Sequence, residues 1–239
     1  MLSVLNLIII PIFGILSITA YNFHNSSLKI KADNAINKNK KNNVLKSIAM
    51  YAFTLNFFFS FYYLYFFEKL IYGFQFVGEF ELLNFTVRFG IDGISLFFLL
   101  LTTFLLPICL LLSWDYISKN VYVYLMSLLF LEFFLILFFS SLNILILFVS
   151  FESILIPMFI IIGLWGGFRK IKANYYFFIY TLAGSVFMLL GILILWTQIG
   201  SLDFITILSY KFYFNLEKIL WLLFFIGFAV KIPIFPTHL

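Results

Sequence analysis

The chain has 239 residues, of which 64% are hydrophobic and only 10% are charged, with a formal net charge of +5. A soluble domain is roughly 45–50% apolar and about 25% charged, so this composition excludes a soluble globular protein and predicts an all-α integral membrane protein. The single cysteine, Cys109, excludes an internal disulfide framework, and the basic residues lie in predicted loops, so the positive charge indicates membrane topology and no nucleic-acid partner.

Seven apolar segments are long enough for a helix that crosses a bilayer, which needs ~20 residues. Their length predicts helices, because transmembrane strands are shorter and alternate between apolar and polar residues. The segments are Leu2–Tyr21, Ile48–Phe67, Ile94–Ser113, Val121–Phe139, Leu142–Gly163, Tyr175–Thr197 and Ile219–Leu239.

The predicted loops carry an uneven distribution of basic residues. The loop between the first two spans, Asn22–Lys46, contains six lysines and one aspartate, and the loops on its side of the membrane carry ten Lys and Arg residues against four on the other side. Because Lys and Arg favour the side from which insertion occurs, we expect this loop to face inward and the N-terminus to face outward. We interpret the loop as solvated and topology-setting; the alternative is contact with an anionic lipid such as cardiolipin or with a partner protein.

Three ionisable residues lie inside predicted spans: Glu132 in the fourth, Glu152 in the fifth and Lys231 in the seventh. A charge at the bilayer centre costs ~2.5–3.5 kcal/mol on insertion scales, so such a residue is by default a candidate functional residue. The alternative is a structural ion pair that only fixes the register of two helices. Glu132 lies near the middle of its span, where it either serves proton transfer or pairs with a neighbouring helix.

Glu152 has the most distinctive surroundings of the three. On a helix, Ser141 and Gly163 fall ~20° from its face, and the stripe between them is otherwise apolar. An apolar surround favours the protonated carboxyl, whereas a nearby lysine favours the carboxylate. A glutamate between these influences gains or loses a proton when its partner moves, as a proton relay requires. Pro157, five residues on, is expected to kink the helix or free a backbone carbonyl.

Small residues in the sixth span indicate close packing against another helix. Gly184 and Gly191 are seven residues apart and lie near one helix face, with Thr181 and Ser185 nearby. In lipid, small residues on one face let two helix backbones approach closely. We therefore expect this face to be a helix–helix interface.

The seventh span is predicted to be a broken helix. Lys231 lies four residues after Gly227 and two before Pro233. Pro236 follows three residues later and again lacks the N–H that a helix needs. Interrupted helices near charges mark ion sites in transporters, whereas the alternative is a helix that ends at the membrane surface. His238 is either a group that titrates near neutral pH or an ordinary interfacial residue.

Four stretches of the sequence together resemble a known family. They are FGIDGISLFFLLLTTFLLPICLLLSW, FVSFESILIPMFIIIGLWGG, YFFIYTLAGSVFMLLGILIL and FAVKIPIFPTHL. They are similar to subunit 4 of mitochondrial NADH dehydrogenase (respiratory complex I), in the antiporter-like group that includes subunits 2 and 5 and the Mrp-type sodium/proton antiporters. The resemblance implies two parts: residues 1–88, with two helices and a Lys/Asn-rich matrix loop, and residues 89–239, an antiporter-like proton-channel half.

The resemblance also implies a fold and a set of site residues. The family has fourteen core helices in two inverted repeats, each with a broken helix, and this chain would supply the first repeat of seven. Glu152 of the FESILIP motif is expected to pair with Lys231 of the VKIP motif in a proton channel. Glu132 matches a glutamate on the fourth helix and His238 a histidine after the break, and we expect all four to serve proton transfer.

The activity implied is that of a proton-translocating subunit of NADH:ubiquinone oxidoreductase in the mitochondrial inner membrane, with the N-terminus in the intermembrane space. No cofactor or metal is expected in this chain; NADH, FMN, iron–sulfur clusters and ubiquinone are expected in other subunits. The expected partners are the membrane, neighbouring complex I subunits and a separate chain that supplies the C-terminal half of subunit 4. The alternative to such a split gene is a truncated sequence.

Two other functions are alternatives. A sodium/proton antiporter subunit would carry similar intramembrane features. A seven-helix receptor or structural protein would share the seven spans and the outward N-terminus. The absence of a cysteine pair and the predicted break in the last helix argue against a receptor.

Overall fold

Helices make up most of the chain in the computed structural model, which describes residues 4–27, 35–68, 70, 73–82, 85–232 and 234. The described residues group into two compact units. The first unit falls within residues 1–80 and 89–140, and the second within residues 81–88 and 141–239. The division predicted between residues 88 and 89 follows the extent of the resemblance and stays a prediction.

The elements in chain order are α1 (Leu5–Ser27), α2 (Ala35–Phe66), β1 (Gln75–Leu82), β2 (Phe85–Ile91), α3 (Gly93–Leu112), α4 (Val121–Ser140), α5 (Ile144–Ser153), α6 (Leu155–Trp165), α7 (Lys170–Ile199), α8 (Phe204–Ser209) and α9 (Phe214–Lys231).

In the first unit, helix α2 presents a buried stripe of polar side chains. Asn56, Ser60 and Tyr63 are spaced by four and three residues, so they lie on one helix face, and each is at most 1% exposed. Ser60 Oγ lies 2.8 Å from Thr103 Oγ1 of α3 in a hydrogen bond. The Tyr63 hydroxyl contacts the side chain of Asn6 on α1. Interhelical hydrogen bonds in a membrane contribute about 0.6 kcal/mol each on average, so this stripe ties α2 to both α1 and α3.

The start of α2 corrects the prediction for the Lys/Asn-rich loop. Residues 22–27 of the predicted loop belong to α1 and residues 35–46 to α2, so these parts are helical and not a loop, while residues 28–34 lie outside the described part. Lys46 is buried, donates a hydrogen bond to the Trp114 carbonyl, and lies 5.7 Å from the centre of the Trp114 ring. Trp114 follows the C-terminus of α3, where carbonyls lack helical partners and attract a cation. This tertiary contact removes Lys46 from solvent.

Strands β1 and β2 form a two-stranded sheet in a segment predicted only as a connection between spans. In β2, FTVRFGI, apolar residues alternate with Thr86, Arg88 and Gly90, which is the period of a strand. The strand is much shorter than the ~20 residues that identify a membrane helix. Asp92 follows it and caps α3, because its carboxylate accepts a hydrogen bond from the Ser95 N–H at 2.7 Å. The helical membrane class is confirmed, with this hairpin as an addition.

In the second unit, the predicted fifth span is interrupted in its middle. The structure has two helices, α5 and α6, with Ile154 between them. Pro157 has no N–H to donate to the Ser153 carbonyl, so one helical hydrogen bond is missing at this point. This agrees with the carbonyl that Pro157 was expected to free, while the backbone at Ile154 stays helical and donates to the Ser150 carbonyl at 3.1 Å. Beyond it, α6 packs on α7, where the Asn174 side-chain amide donates a hydrogen bond to the Phe159 carbonyl at 2.9 Å.

Glycines create a close interface between α7 and α9. A Cβ atom added at Gly184 would lie 2.8 Å from Val230 Cβ. One added at Gly191 would lie 3.0 Å from Phe224 Cε2, and Gly227 of α9 faces α7 in the same way. The helix–helix interface predicted from Gly184 and Gly191 is confirmed, and it fixes the helix that carries Lys231.

The predicted number of spans is not settled by helix length and hydropathy. Six helical segments of the described chain are long and apolar enough to cross a membrane, and α5 with α6 counts as one of them. The helix α9 is not among the six, and its 18 residues include Glu217, Lys218 and Lys231. The predicted break falls at Pro233 and Pro236, which lie outside the described residues. The seventh span and its break therefore stay predictions.

We expect Gly184→Ala to destabilise the second unit. The added methyl group would overlap Val230, and overpacking of this kind costs about 1–3 kcal/mol. Gly93→Ala is the matched control, because nothing lies within 4 Å of its added Cβ atom. The temperature at which the detergent-solubilised chain loses its monodisperse peak on size exclusion should fall for Gly184→Ala alone. Equal temperatures for the two variants would contradict the tight interface.

Candidate functional site

An ion pair in the second unit brings together Glu152 and Lys231. Lys231 Nζ lies 3.2 Å from Glu152 Oε1, and the side chains are 14% and 19% exposed for the lysine and the glutamate, respectively. Glu152 is the last residue but one of α5, and Lys231 is the last residue of α9. A cation is favoured at a helix C-terminus. The ammonium therefore has a local electrostatic reason to lie at this point besides its carboxylate partner.

Phe151 supplies two further contacts to the Lys231 ammonium. Nζ lies 2.8 Å from the centre of the Phe151 ring and donates a hydrogen bond to the Phe151 carbonyl at 3.4 Å. A cation over an aromatic face gains about 0.5–2 kcal/mol, with the larger value where water is excluded. The ring is itself held against Phe228, with centroids 6.1 Å apart and planes at 62°. The ammonium is thus partnered by a ring, a carbonyl and a carboxylate from two consecutive residues, Phe151 and Glu152.

The second carboxylate oxygen of Glu152 does not contact the Lys231 ammonium in a hydrogen bond. Oε2 is buried and has no hydrogen-bond partner among the described residues. Glu152 therefore presents one oxygen to the Lys231 ammonium and a second oxygen that a hydrogen-bond donor could occupy.

Of the other two candidate residues, Glu132 belongs to the first unit and His238 lies outside the described residues. Glu132 is 0% exposed, and its carboxyl oxygens have no hydrogen-bond partner in the described part of the chain. The Asn56 amide of α2 lies against it, although neither Nδ2 nor Oδ1 of Asn56 is in direct hydrogen-bonding geometry. Asn56 was not predicted as a site residue. The only indication in the sequence is that it is a polar residue four positions before Ser60.

A second ion pair in the second unit lies outside the predicted site. Arg88 Nη1 lies 3.8 Å from Asp203 Oδ2, with side chains 37% and 19% exposed. Asp203 also forms an antiparallel bridge with Asn143, and the Leu142 N–H donates to the Arg88 carbonyl at 2.9 Å. A partly exposed ion pair contributes about 0–1 kcal/mol. We interpret this cluster as a structural tie between β2 and the residues before α5 and α8.

Comparison with known proteins identifies relatives for most of the chain. Residues 141–239 match the family described as NADH:quinone oxidoreductase/Mrp antiporter, TM. Proteins named NADH-ubiquinone oxidoreductase chain 4 are 50% identical over 163 residues in Prototheca wickerhamii, 49% over 170 in Arabidopsis thaliana and 43% over 205 in Marchantia polymorpha. These alignments cover 68%, 70% and 84% of this chain. They cover only 31%, 34% and 41% of the relatives' own lengths.

Solved structures share the fold at low sequence identity. A chain of respiratory complex I from Thermus thermophilus with bound NADH matches with a TM-score of 0.76 and 23% identity, over 99% of this chain and 45% of that one. A chain of the membrane-bound sulfane sulfur reductase, an archaeal respiratory membrane complex, matches with a TM-score of 0.69 and 19% identity, over 97% and 34%. The likeness supports the prediction that this chain has part of a larger antiporter-like fold.

We expect Glu152→Gln and Lys231→Met to interact energetically. Two residues in one ion pair typically show a coupling energy of about 0.5–3 kcal/mol, because the second substitution costs little once the pair is broken. The measurement is a double-mutant cycle on the thermal stability of the chain in nanodiscs. Lys218→Met is the control, since Lys218 is an exposed lysine of the same helix α9. Additive effects for Glu152 with Lys231, as for Glu152 with Lys218, would show that the pair does not form.

Proposed function

Because this chain is a homologue of proteins named NADH-ubiquinone oxidoreductase chain 4, we propose that it translocates protons in the membrane arm of NADH:ubiquinone oxidoreductase. The observation that carries this function is the ion pair of Lys231 and Glu152, at 3.2 Å, within the segment 141–239 that matches the antiporter family. The chain matches less than half of each relative's length, so the activity is that of an assembled subunit to which this chain contributes.

In the proposed mechanism, Glu152 takes up and releases a proton as Lys231 moves. With the ammonium at Oε1, the carboxylate is stabilised as an anion. When the ammonium withdraws, a proton binds at Oε2, which no described hydrogen bond occupies. Its return displaces that proton toward the next acceptor. Glu132 and His238 are proposed as further proton-transfer groups, in line with the family resemblance.

The energy for this cycle comes from elsewhere in the assembly. We propose that this chain holds no redox centre, and that NADH, FMN, iron–sulfur clusters and ubiquinone bind to other subunits. Its partners are then the membrane and neighbouring complex I subunits. The proposed location is the mitochondrial inner membrane, with the N-terminus in the intermembrane space, as the ten basic residues of the predicted inward loops against four favour.

The aligned part accounts for only 31–41% of the relatives' lengths. The proposed activity therefore belongs to a subunit that includes the part corresponding to the rest of those relatives. Cardiolipin is a proposed lipid partner for the basic residues near the start of α2.

A sodium/proton antiporter subunit is the second candidate function. The matched family is described by both NADH:quinone oxidoreductase and Mrp antiporter, so the family match alone fits either. Sodium-dependent proton movement that proceeds without NADH oxidation would favour the antiporter. Proton movement that requires NADH oxidation and is indifferent to sodium would favour the complex I subunit.

Glu152→Gln should lower the number of protons pumped per NADH oxidised in the assembled complex. The amide keeps the shape of the carboxyl but cannot bind and release a proton at Oε2. Proton uptake and NADH oxidation would be measured together in proteoliposomes. Glu217→Gln is the control, because Glu217 is an exposed carboxylate of α9. An unchanged ratio in Glu152→Gln complex would remove Glu152 from the proton path.

A further inference from the structure

We propose that Phe151 is a positioning residue that keeps the Lys231 ammonium charged beside Glu152 and takes no proton itself. This role rests on the proposed function of the ion pair in proton transfer, and it belongs to a side chain that cannot titrate. Lys231 Nζ makes three contacts here. It lies 3.2 Å from Glu152 Oε1, 3.4 Å from the Phe151 carbonyl oxygen and 2.8 Å from the centre of the Phe151 ring.

An ion pair that is largely shielded from water has a neutral alternative. The two side chains are only 14% and 19% exposed, and such surroundings penalise charged groups. If the proton moves from Lys231 Nζ to Glu152, one N–H bond breaks, one O–H bond forms, and an uncharged amine and an uncharged carboxylic acid remain. A Glu152 carboxyl that holds the proton of the lysine cannot take up a proton from another donor. The proposed function therefore requires that the pair stay charged.

Both groups of Phe151 that contact Lys231 favour its charged form. The face of an aromatic ring carries partial negative charge, which attracts an ammonium and has little effect on a neutral amine. The ring has no basic atom at which a proton could bind. The Phe151 carbonyl acts in the same direction, because a hydrogen bond from a charged donor is roughly twice as strong as one from a neutral donor. Of the three partners of the ammonium, Glu152 alone can accept its proton.

The Phe151 ring lies between the two helices that form the ion pair. Phe151 precedes Glu152 in α5, so the ring and the carboxylate come from neighbouring positions of one backbone. On α9, the ring of Phe228 packs against that of Phe151, with centroids 6.1 Å apart. Phe228 and Lys231 are three residues apart and share a helix face. The Phe151 ring therefore meets the last turn of α9 at two side chains, and one of them is the ammonium.

Infrared spectra of the full chain in nanodiscs provide the first test, because a protonated carboxyl and a carboxylate absorb at different frequencies. Phe151→Leu should raise the ratio of the neutral to the charged pair about tenfold, the change expected when one water-excluded contact between a cation and a ring is lost. The new carboxyl band is assigned to Glu152 by its absence when Glu152→Gln is added. Phe159→Leu is the matched control, because its ring meets that of Phe178 at 5.3 Å, and the band should stay at the wild-type level. Equal spectra for the Phe151 and Phe159 variants overturn the proposal.

Fluorinated phenylalanines at position 151 provide the second test and decide the matter where Phe151→Leu does not fold. Fluorine withdraws electron density from the ring face and changes the shape of the ring little, so it weakens the attraction for a cation and keeps the packing. The share of protonated Glu152 should therefore rise stepwise from phenylalanine to its mono-, di- and trifluoro derivatives. A share that is the same across this series overturns the proposal.

Proton pumping by the assembled complex separates this role from the proposed function. Phe151→Leu should lower the number of protons pumped per NADH oxidised, whereas Phe159→Leu should not. If Glu152→Gln leaves that number unchanged, the proposed function fails, while the infrared spectra still decide whether Phe151 keeps the pair charged. If Glu152→Gln lowers the number and Phe151→Leu does not, the role of Phe151 is overturned and the proposed function stands.

Discussion

A polar group inside a membrane must find its partner within the protein, and the arrangement of both units follows from that constraint. In the second unit, Lys231 is satisfied by a carboxylate, a carbonyl and an aromatic ring at one point. In the first unit, Ser60 and Tyr63 of α2 meet the same requirement through separate contacts with α3 and α1. Polar contacts thus help to select which helix faces meet, because apolar side chains suit lipid and protein about equally well.

The glycines of α7 and α9 allow a close helix–helix interface, and this interface positions the backbone that carries Lys231. Gly184, Gly191 and Gly227 allow the two helices to approach until side chains on one nearly touch the backbone of the other. Close packing of that kind leaves little freedom for α9 to rotate or slide. The last turn of α9 is therefore held firmly, and Lys231 projects from a fixed backbone on a flexible four-carbon stem. Movement of the ammonium then needs only side-chain rotation.

Features encoded by local sequence could be predicted, and features created by tertiary contact could not. The limits of α3 and α4, the interruption near Pro157 and the glycine interface follow from hydropathy, backbone chemistry and residue size. The pairing of Glu152 with Lys231 came from a family resemblance, since residues 79 apart carry no spacing signal. In the sequence, Lys46 and Asn56 look like a loop charge and an isolated amide, because their partners, Trp114 and Glu132, lie on distant segments.

One membrane segment, α5 with α6, makes different contacts on the two sides of Pro157. On one side, α6 packs on α7, where the Asn174 amide donates a hydrogen bond to the Phe159 carbonyl and the rings of Phe159 and Phe178 meet edge to face. On the other side, α5 ends in the carboxylate that meets Lys231. Because Pro157 has no N–H, the Ser153 carbonyl between these two parts lacks its helical donor. A backbone acceptor without that donor therefore lies one residue from the Glu152 carboxylate, in the stretch that meets Lys231.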